Sequence, residues 1–254
     1  MKALIAAAGR GTRLRNSALG SNKCMRMLGG RHLIEYSLDS AVKSRVDEIV
    51  VVVGHQAESI INTFGIAYRD IRVCYVLQRE LTGLVSAMEC AREALEGEDF
   101  MLLLGDEIVW DPRPDEMIQY FEAEKLFVLC GVTVTPDWDQ VKKTYAVLYN
   151  PYENYIYRLV EKPRKPVNSY MGTGNCVFRN GIFDYIARTP VNHIRGEKEL
   201  PDLIQCAIDE GNPVKLYPVG SRYVNINTEN DVQIADHVFE EQNVQWKDLI
   251  PALP

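Results

Sequence analysis

The stretch Ala3-Leu4-Ile5-Ala6-Ala7-Ala8-Gly9-Arg10-Gly11-Thr12-Arg13-Leu14-Arg15, followed by Lys23, decides how the rest of the chain is read. Its first six residues are an apolar run of strand length, and the glycines that follow end it. Gly9 and Gly11 lack Cβ, so the backbone can take positive φ and come close to a ligand. Successive N–H groups in such a turn form an anion-binding concavity. Arg13 adds a planar donor fork and Lys23 a compact charge. The first 34 residues hold seven basic side chains and no acidic one, in a chain of net charge −7. Residues 35–254 therefore carry 21 basic against 35 acidic groups, a net −14. A cationic loop on an acidic protein is a local device for a small polyanion; nucleic acid would call for a broad basic face.

Two familiar phosphate loops are excluded. No G-x-x-x-x-G-K-[ST] occurs, and Leu14 stands where a dinucleotide fingerprint needs its third glycine.

Outward from the loop, strand-like runs alternate with helical patterns. Strands are expected at 48–53, 71–77 and 99–104, helices near 33–43, 56–63, 83–96 and 114–124. That β-α-β-α-β order implies a parallel sheet covered on both faces, with ligands beyond the C-terminal strand ends, where Gly9, Gly54 and Gly105-Asp106 fall. Closely spaced strand-like segments at 126–134, 144–150, 155–161 and 174–179 should extend it as a mixed sheet, and helices are expected at 181–187, 197–210 and 229–243. No linker interrupts the chain. We read residues 1–254 as one α/β domain, with a nucleotide-binding half over 1–125 and an acceptor-binding half over 126–254. The chain is 46% hydrophobic, and no run approaches the roughly 20 apolar residues of a membrane span, so no membrane partner is expected. Six widely spaced cysteines without C-x-x-C read as reduced thiols of a cytoplasmic protein.

Further motifs fall at the expected ligand edge. Gln78-Arg79-Glu80-Leu81-Thr82-Gly83-Leu84 links a strand to a helix; glutamine can read a base edge and Gly83 admits a flat ring. Asp106, after an apolar strand, is a carboxylate of the kind that binds magnesium together with substrate phosphates.

The N-terminal stretch resembles the signature of the sugar-1-phosphate nucleotidylyltransferases, roughly L-x-A-G-x-G-T-R-[LM], a variable loop, then P-K. Gln78–Leu84 looks like the Q-x(4)-G-L segment of the thymidylyltransferase branch. Gly105-Asp106 is similar to the family's G-D, Tyr145-Ala146-Val147 to its Y-G-V, Glu161-Lys162-Pro163 to its E-K-P, Arg195–Asp202 to R-G-E-x-E-[IL]-T-D, and Tyr223–Thr228 to W-x-D-x-G-T. The resemblance covers about residues 1 to 240. It implies a Rossmann-like three-layer nucleotidyltransferase fold with a mostly parallel, mixed central sheet. It also implies a Mg²⁺-dependent enzyme that condenses a nucleoside triphosphate, TTP or UTP, with a sugar 1-phosphate.

Under that resemblance Arg13, Lys23 and Asp106 are catalytic. Ala8, Gly9, Gly11, Thr12, Arg13, Gln78 and Gly83 bind nucleotide, and Tyr145, Glu161, Lys162, Gly174 and Arg195 the acceptor. Asp106 and Asn225 hold the metal. Four departures bear on these roles. Asn22 replaces a proline and should loosen the loop; Glu107 replaces an asparagine; Ala146 replaces a glycine at the sugar; Asn225 replaces an aspartate and should weaken metal binding. Glu197 and Glu199 are expected to open a helix, where negative charge suits the dipole. A cytidylyltransferase of a phosphonate, phosphocholine or polyol phosphate shares the N-terminal signature. A non-catalytic nucleotide-sensing subunit is the alternative of another class. Family members often form dimers or tetramers, which allows a homo-oligomer here.

Overall fold

A computed structural model describes residues 1–11 and 22–249, with side chains through residue 241. The first four main strands, β1 (Lys2–Ala7), β2 (Glu48–Val53), β3 (Ile71–Leu77) and β4 (Phe100–Leu104), are parallel, in the order β4-β1-β2-β3. Their runs are apolar almost throughout because helices cover both faces of a parallel sheet. Helices α1 (Ile34–Lys43), α2 (Ala57–Phe64) and α4 (Pro114–Ala123) send Ile34, Leu38, Ile60 and Phe121 into the core on one face. Helix α3 (Leu84–Ala91) and α5 (Leu200–Asp209) send Val85, Met88, Leu203 and Ile204 into the core on the other. The result is a Rossmann-like three-layer α/β architecture with a mixed central sheet.

Past β4 the chain forms β5 (Glu107–Trp110), β6 (Val128–Val134), β7 (Tyr145–Tyr149), β8 (Ile156–Glu161), β9 (Tyr170–Phe178), β10 (Val214–Pro218), β11 (Arg222–Asn225) and a last helix, α6 (Glu229–Leu249). Strand β9 joins the halves. It is antiparallel to β6 along one side and to β7 and then β4 along the other. Its register breaks between Gly172 and Cys176, leaving Thr173-Gly174-Asn175 as an irregular step at the sheet's centre. At the outer edge β8 pairs only with β7, and Gln205 of α5 covers its free side, accepting from Leu159 N at 2.9 Å and donating to Tyr157 O at 3.4 Å. A blunted edge of this kind resists pairing with another chain.

The structure corrects several sequence expectations. The helix at 181–187 is a 3-10 helix over Asn180–Arg188. The one at 83–96 ends at Ala91. Glu197 opens no helix: Glu197–Lys198 pairs with Val191–Asn192 as a short hairpin, and α5 begins at Leu200 with Glu199 as its N-cap. Strands β5, β10 and β11 were not anticipated. Among the described residues no helix is long and apolar enough to cross a membrane.

Candidate active site

The end of β1 runs straight into the glycine turn. Gly11 has φ +59°, and a Cβ there would lie 2.7 Å from the Lys23 Cβ, so only glycine lets the lysine stem pass. At Gly9 a Cβ would meet nothing within 4 Å, so the backbone faces open space. Thr12 and Arg13 lie outside the described residues.

The loop that Asn22 was expected to loosen, residues 12–21, lies outside the described residues, but Asn22 itself is firmly held. Its backbone, φ −65° and ψ 133°, is that of a proline, and its side chain adds three hydrogen bonds. The amide donates to Ala7 O at 3.1 Å and His55 O at 2.7 Å, and its oxygen accepts from Cys24 N at 2.9 Å. The residue is 1% exposed. It ties the start of the Lys23 turn to the ends of β1 and β2. Asn22→Ala would leave those buried groups unpaired, which costs about 2–3 kcal/mol. Thermal unfolding should show Tm lower by about 5–10 °C; an unchanged Tm would remove this tie from the account.

A cavity of about 640 Å³ opens above the strand ends. Its lining brings together Gly9, Gly11, Lys23, Asp106 and Asn227 with Gln78, Leu81, Gly83 and Glu197, and with Ala8. Lys23, 8% exposed, places its ammonium 2.5 Å from Asp106 Oδ2 and 3.0 Å from Asn227 Oδ1. Asp106 sits in the turn between β4 and β5 and caps no helix, since a strand follows it. Buried Gln78 donates from Nε2 to Gly83 O at 3.1 Å, which leaves its carbonyl oxygen and a second N–H to offer a ligand. Gly83, φ +99°, starts α3 with the Glu197 carboxylate against it.

The acceptor residues are placed differently. Glu161, Lys162 and Arg195 do not line the cavity; they form a separate ion cluster. Glu161 Oε1 lies 2.5 Å from Arg195 and 3.2 Å from Lys162, and Arg195 also pairs with Glu199. Burial, then the charge of Glu161, pushes the Glu199 carboxyl up. Tyr145 is buried, with its hydroxyl donating to Thr173 O at 2.9 Å, so its side chain supports the step in β9 and takes no place on the cavity wall. Gly174 is no free donor either, because its N–H is taken by Glu107 at 3.1 Å. A Cβ on Gly174 would lie 2.2 Å from Leu104 Cγ.

Glu107 is neither solvated nor open to a ligand. It is 4% exposed and faces four donors, from Gly174, Asn175, Tyr223 and Asn225. Burial pushes its carboxyl up to about 8 and the Tyr223 hydrogen bond opposes that. The four donors around it match the ionised form, which accepts and cannot donate.

Asn225 stands opposite Glu107 in the β5–β11 ladder, and Ile226 N donates to Asp106 O at 2.9 Å. It lines an adjoining cavity of about 300 Å³; Asn227 lines both. Asn227 was not among the expected site residues; its signal was its i+2 spacing from Asn225, which puts two residues of an extended segment on one side. Thr228 and Asp231 cap α6, the Asp231 carboxylate accepting from Asn227 N and Thr228 N at 3.0 and 2.8 Å.

Among the described residues no three His, Cys, Asp or Glu side chains converge. Around Lys23 the oxygen donors are the Asp106 carboxylate and the amide oxygens of Asn225 and Asn227. This set fits magnesium, which takes few protein oxygens, keeps waters and binds substrate phosphates.

Comparison with known proteins agrees with this architecture. Residues 2–249 match the family described as nucleotidyl transferase. A UTP–glucose-1-phosphate uridylyltransferase of Haloferax volcanii, AglF, is 30% identical over 247 residues, covering 96% of this chain and 99% of that protein. A glucose-1-phosphate thymidylyltransferase of Streptomyces griseus is 28% identical over 216 residues, 85% of this chain and 59% of the relative. The fold is that of the UTP-bound UGPase of Acinetobacter baumannii, with a TM-score of 0.82 at 23% identity over 100% of this chain and 99% of that one. A match over nearly the whole chain, joined to a full-length relative at that identity, makes this protein a member of the nucleotidyl transferase family.

Proposed function

We propose that the chain condenses a nucleoside triphosphate with a sugar 1-phosphate, giving an NDP-sugar and pyrophosphate. The observation that carries this reading is the Lys23–Asp106 pair, held at 2.5 Å in the lining of a cavity that Gln78 and Gly83 also line. The acceptor phosphate oxygen attacks the α-phosphorus; that P–O bond forms as the bond to the β-phosphate oxygen breaks. A phosphate oxygen is already ionised, so no protein nucleophile or base is required. Catalysis is the positioning of two anions and the neutralising of charge. The Ala8–Gly11 backbone, Thr12 and Arg13 hold the triphosphate, and Lys23 meets the charge that grows on departing pyrophosphate. Lys162 and Arg195, which lie in the ion cluster outside the cavity lining, would have to release Glu161 and turn toward the cavity to hold the acceptor phosphate. Asp106 and Asn225 would hold Mg²⁺, which supplies further positive charge to the phosphates when bound.

Gln78 keeps its carbonyl oxygen and one Nε2–H beside the bond to Gly83 O, so it can meet a base edge with an acceptor and a donor and does not by itself choose among pyrimidines. UTP is the first donor to test because the relative AglF is a UTP–glucose-1-phosphate uridylyltransferase. The six cysteines are free, in keeping with a cytoplasmic setting. The test is pyrophosphate release with Mg²⁺ across ATP, CTP, GTP, UTP and TTP against glucose, mannose and galactose 1-phosphates, phosphocholine and a small phosphonate. Release with UTP or TTP and a hexose 1-phosphate, abolished by EDTA, is expected. Release only with CTP would favour a cytidylyltransferase. Nucleotide binding without turnover would favour a sensor.

A further inference from the structure

Lys23 and Asp106 are joined by a second route besides their ion pair. Asn225 Nδ2 donates to Glu107 Oε1 at 3.3 Å, and Asn225 Oδ1 accepts from Asn227 Nδ2 at 2.7 Å. Asn227 Oδ1 accepts from Lys23 Nζ at 3.0 Å, and Lys23 reaches Asp106 at 2.5 Å. Since residues 106 and 107 are neighbours in the chain, these bonds close a ring. Its sense is not free. Glu107 accepts from each of its partners, so Asn225 turns its NH₂ to Glu107 and its oxygen to Asn227. Asn227 must then turn its NH₂ to Asn225 and its oxygen to Lys23. The reverse sense would aim an amide NH₂ at an ammonium. Tyr223, Gly174 and Asn175 hold Glu107 in place from two other strands, at 2.5, 3.1 and 2.9 Å.

We propose that Glu107 is a positioning residue that sets the polarity of this ring, and so fixes Asn227 Oδ1 as an acceptor for the Lys23 ammonium. The inference rests on the role given to Lys23 in the proposed reaction. Glutamine at 107 keeps the volume but can donate to Asn225, and both amides can then reverse. Lys23 loses an acceptor and gains a repelling dipole where charge must be met in the transition state.

The test is a double-mutant cycle in the full-length protein with UTP and a hexose 1-phosphate. Glu107→Gln should lower kcat about 100-fold and change KM for the nucleotide less than about threefold. Asn227→Asp presents an oxygen to Lys23 whichever way residue 225 is turned. It should raise kcat of the Glu107→Gln protein about tenfold and give no gain in the parent, because coupled residues are non-additive. An equal effect of Asn227→Asp in both backgrounds would overturn the proposal, as would a kcat for Glu107→Gln within about threefold of the parent. If Glu107→Gln does not fold, Asn225→Leu cuts the ring one bond further on. The same gain from Asn227→Asp is expected there, and its absence overturns the proposal. Absence of turnover by the parent would overturn the reaction and this inference together; turnover without coupling would overturn the inference alone.

Discussion

Lys23→Ala is expected to lower kcat by about 100- to 1000-fold, the range seen when one preorganised charge-stabilising donor is removed. The lysine stem is threaded past Gly11, its ammonium is fixed by Asp106 and Asn227, and the lysine is itself only 8% exposed. A cation so held needs no reorganisation as pyrophosphate departs, and it acts where water screens it little. The charge it meets is larger in the transition state than in bound triphosphate. The loss should therefore fall on kcat, with KM for the nucleotide changed less than about threefold. Arginine should not rescue. Its guanidinium is planar and larger, and Gly11 leaves no slack beside the stem. Stability should change by only about 1 kcal/mol, because Asp106 is 25% exposed and water can replace its partner. Steady-state kinetics and a thermal melt on the same protein decide the matter. A raised KM with unchanged kcat would make Lys23 a ground-state phosphate ligand and remove it from the chemical step.

What the sequence made legible follows from the range of the physics involved. The parallel half could be read because its strands are largely apolar runs, three of them closed by a glycine soon after their last residue, and because each helix shows its own period. The glycine loop, Gln78, Gly83 and Asp106 could be placed at one ligand edge because parallel strands deliver their C-terminal ends to one side. The cavity gathers those described residues as expected. Strands β5 and β11 were missed because each is four residues long and pairs only with the other, a contact between segments more than 100 residues apart. Strand β10 was hidden by prolines at 213 and 218, which argue against a strand until its edge position is known.

The departures at Asn22, Glu107 and Asn225 were the hardest residues to read. Each had been compared with one expected residue, whereas each is defined by its partners. Asn22 keeps the backbone of a proline and adds ties to two strands. Glu107 and Asn225 face each other in register and hydrogen-bond, so neither can be judged alone. Tyr145 and Gly174 illustrate the converse. Their positions fit a motif, but their polar groups are spent inside the protein, on Thr173 and Glu107. A motif fixes where a residue falls in the chain; its free valences depend on contacts far away in sequence.

Asp106→Asn separates the two jobs assigned to this carboxylate, partner to Lys23 and ligand to magnesium. The substitution keeps the volume and removes the charge. Lys23 is then left nearly buried with only Asn227 and an amide for company, which should cost about 1–3 kcal/mol, less than for a fully buried pair because Asp106 is partly exposed. Turnover should fall about 100-fold or more, since a metal ion supplies several kcal/mol of charge stabilisation. The informative variable is the Mg²⁺ concentration. An amide oxygen can still ligate magnesium, but without charge, so half-saturation should move up about tenfold and excess Mg²⁺ should recover part of the rate. Excess Mg²⁺ should recover nothing in Lys23→Ala, where the lost cation is covalently part of the chain. Because the two residues act as a unit, the double variant should be little slower than the slower single variant. Half-saturation that stays unchanged while the rate falls would show that Asp106 works only by holding Lys23, and the metal would then have to be held elsewhere.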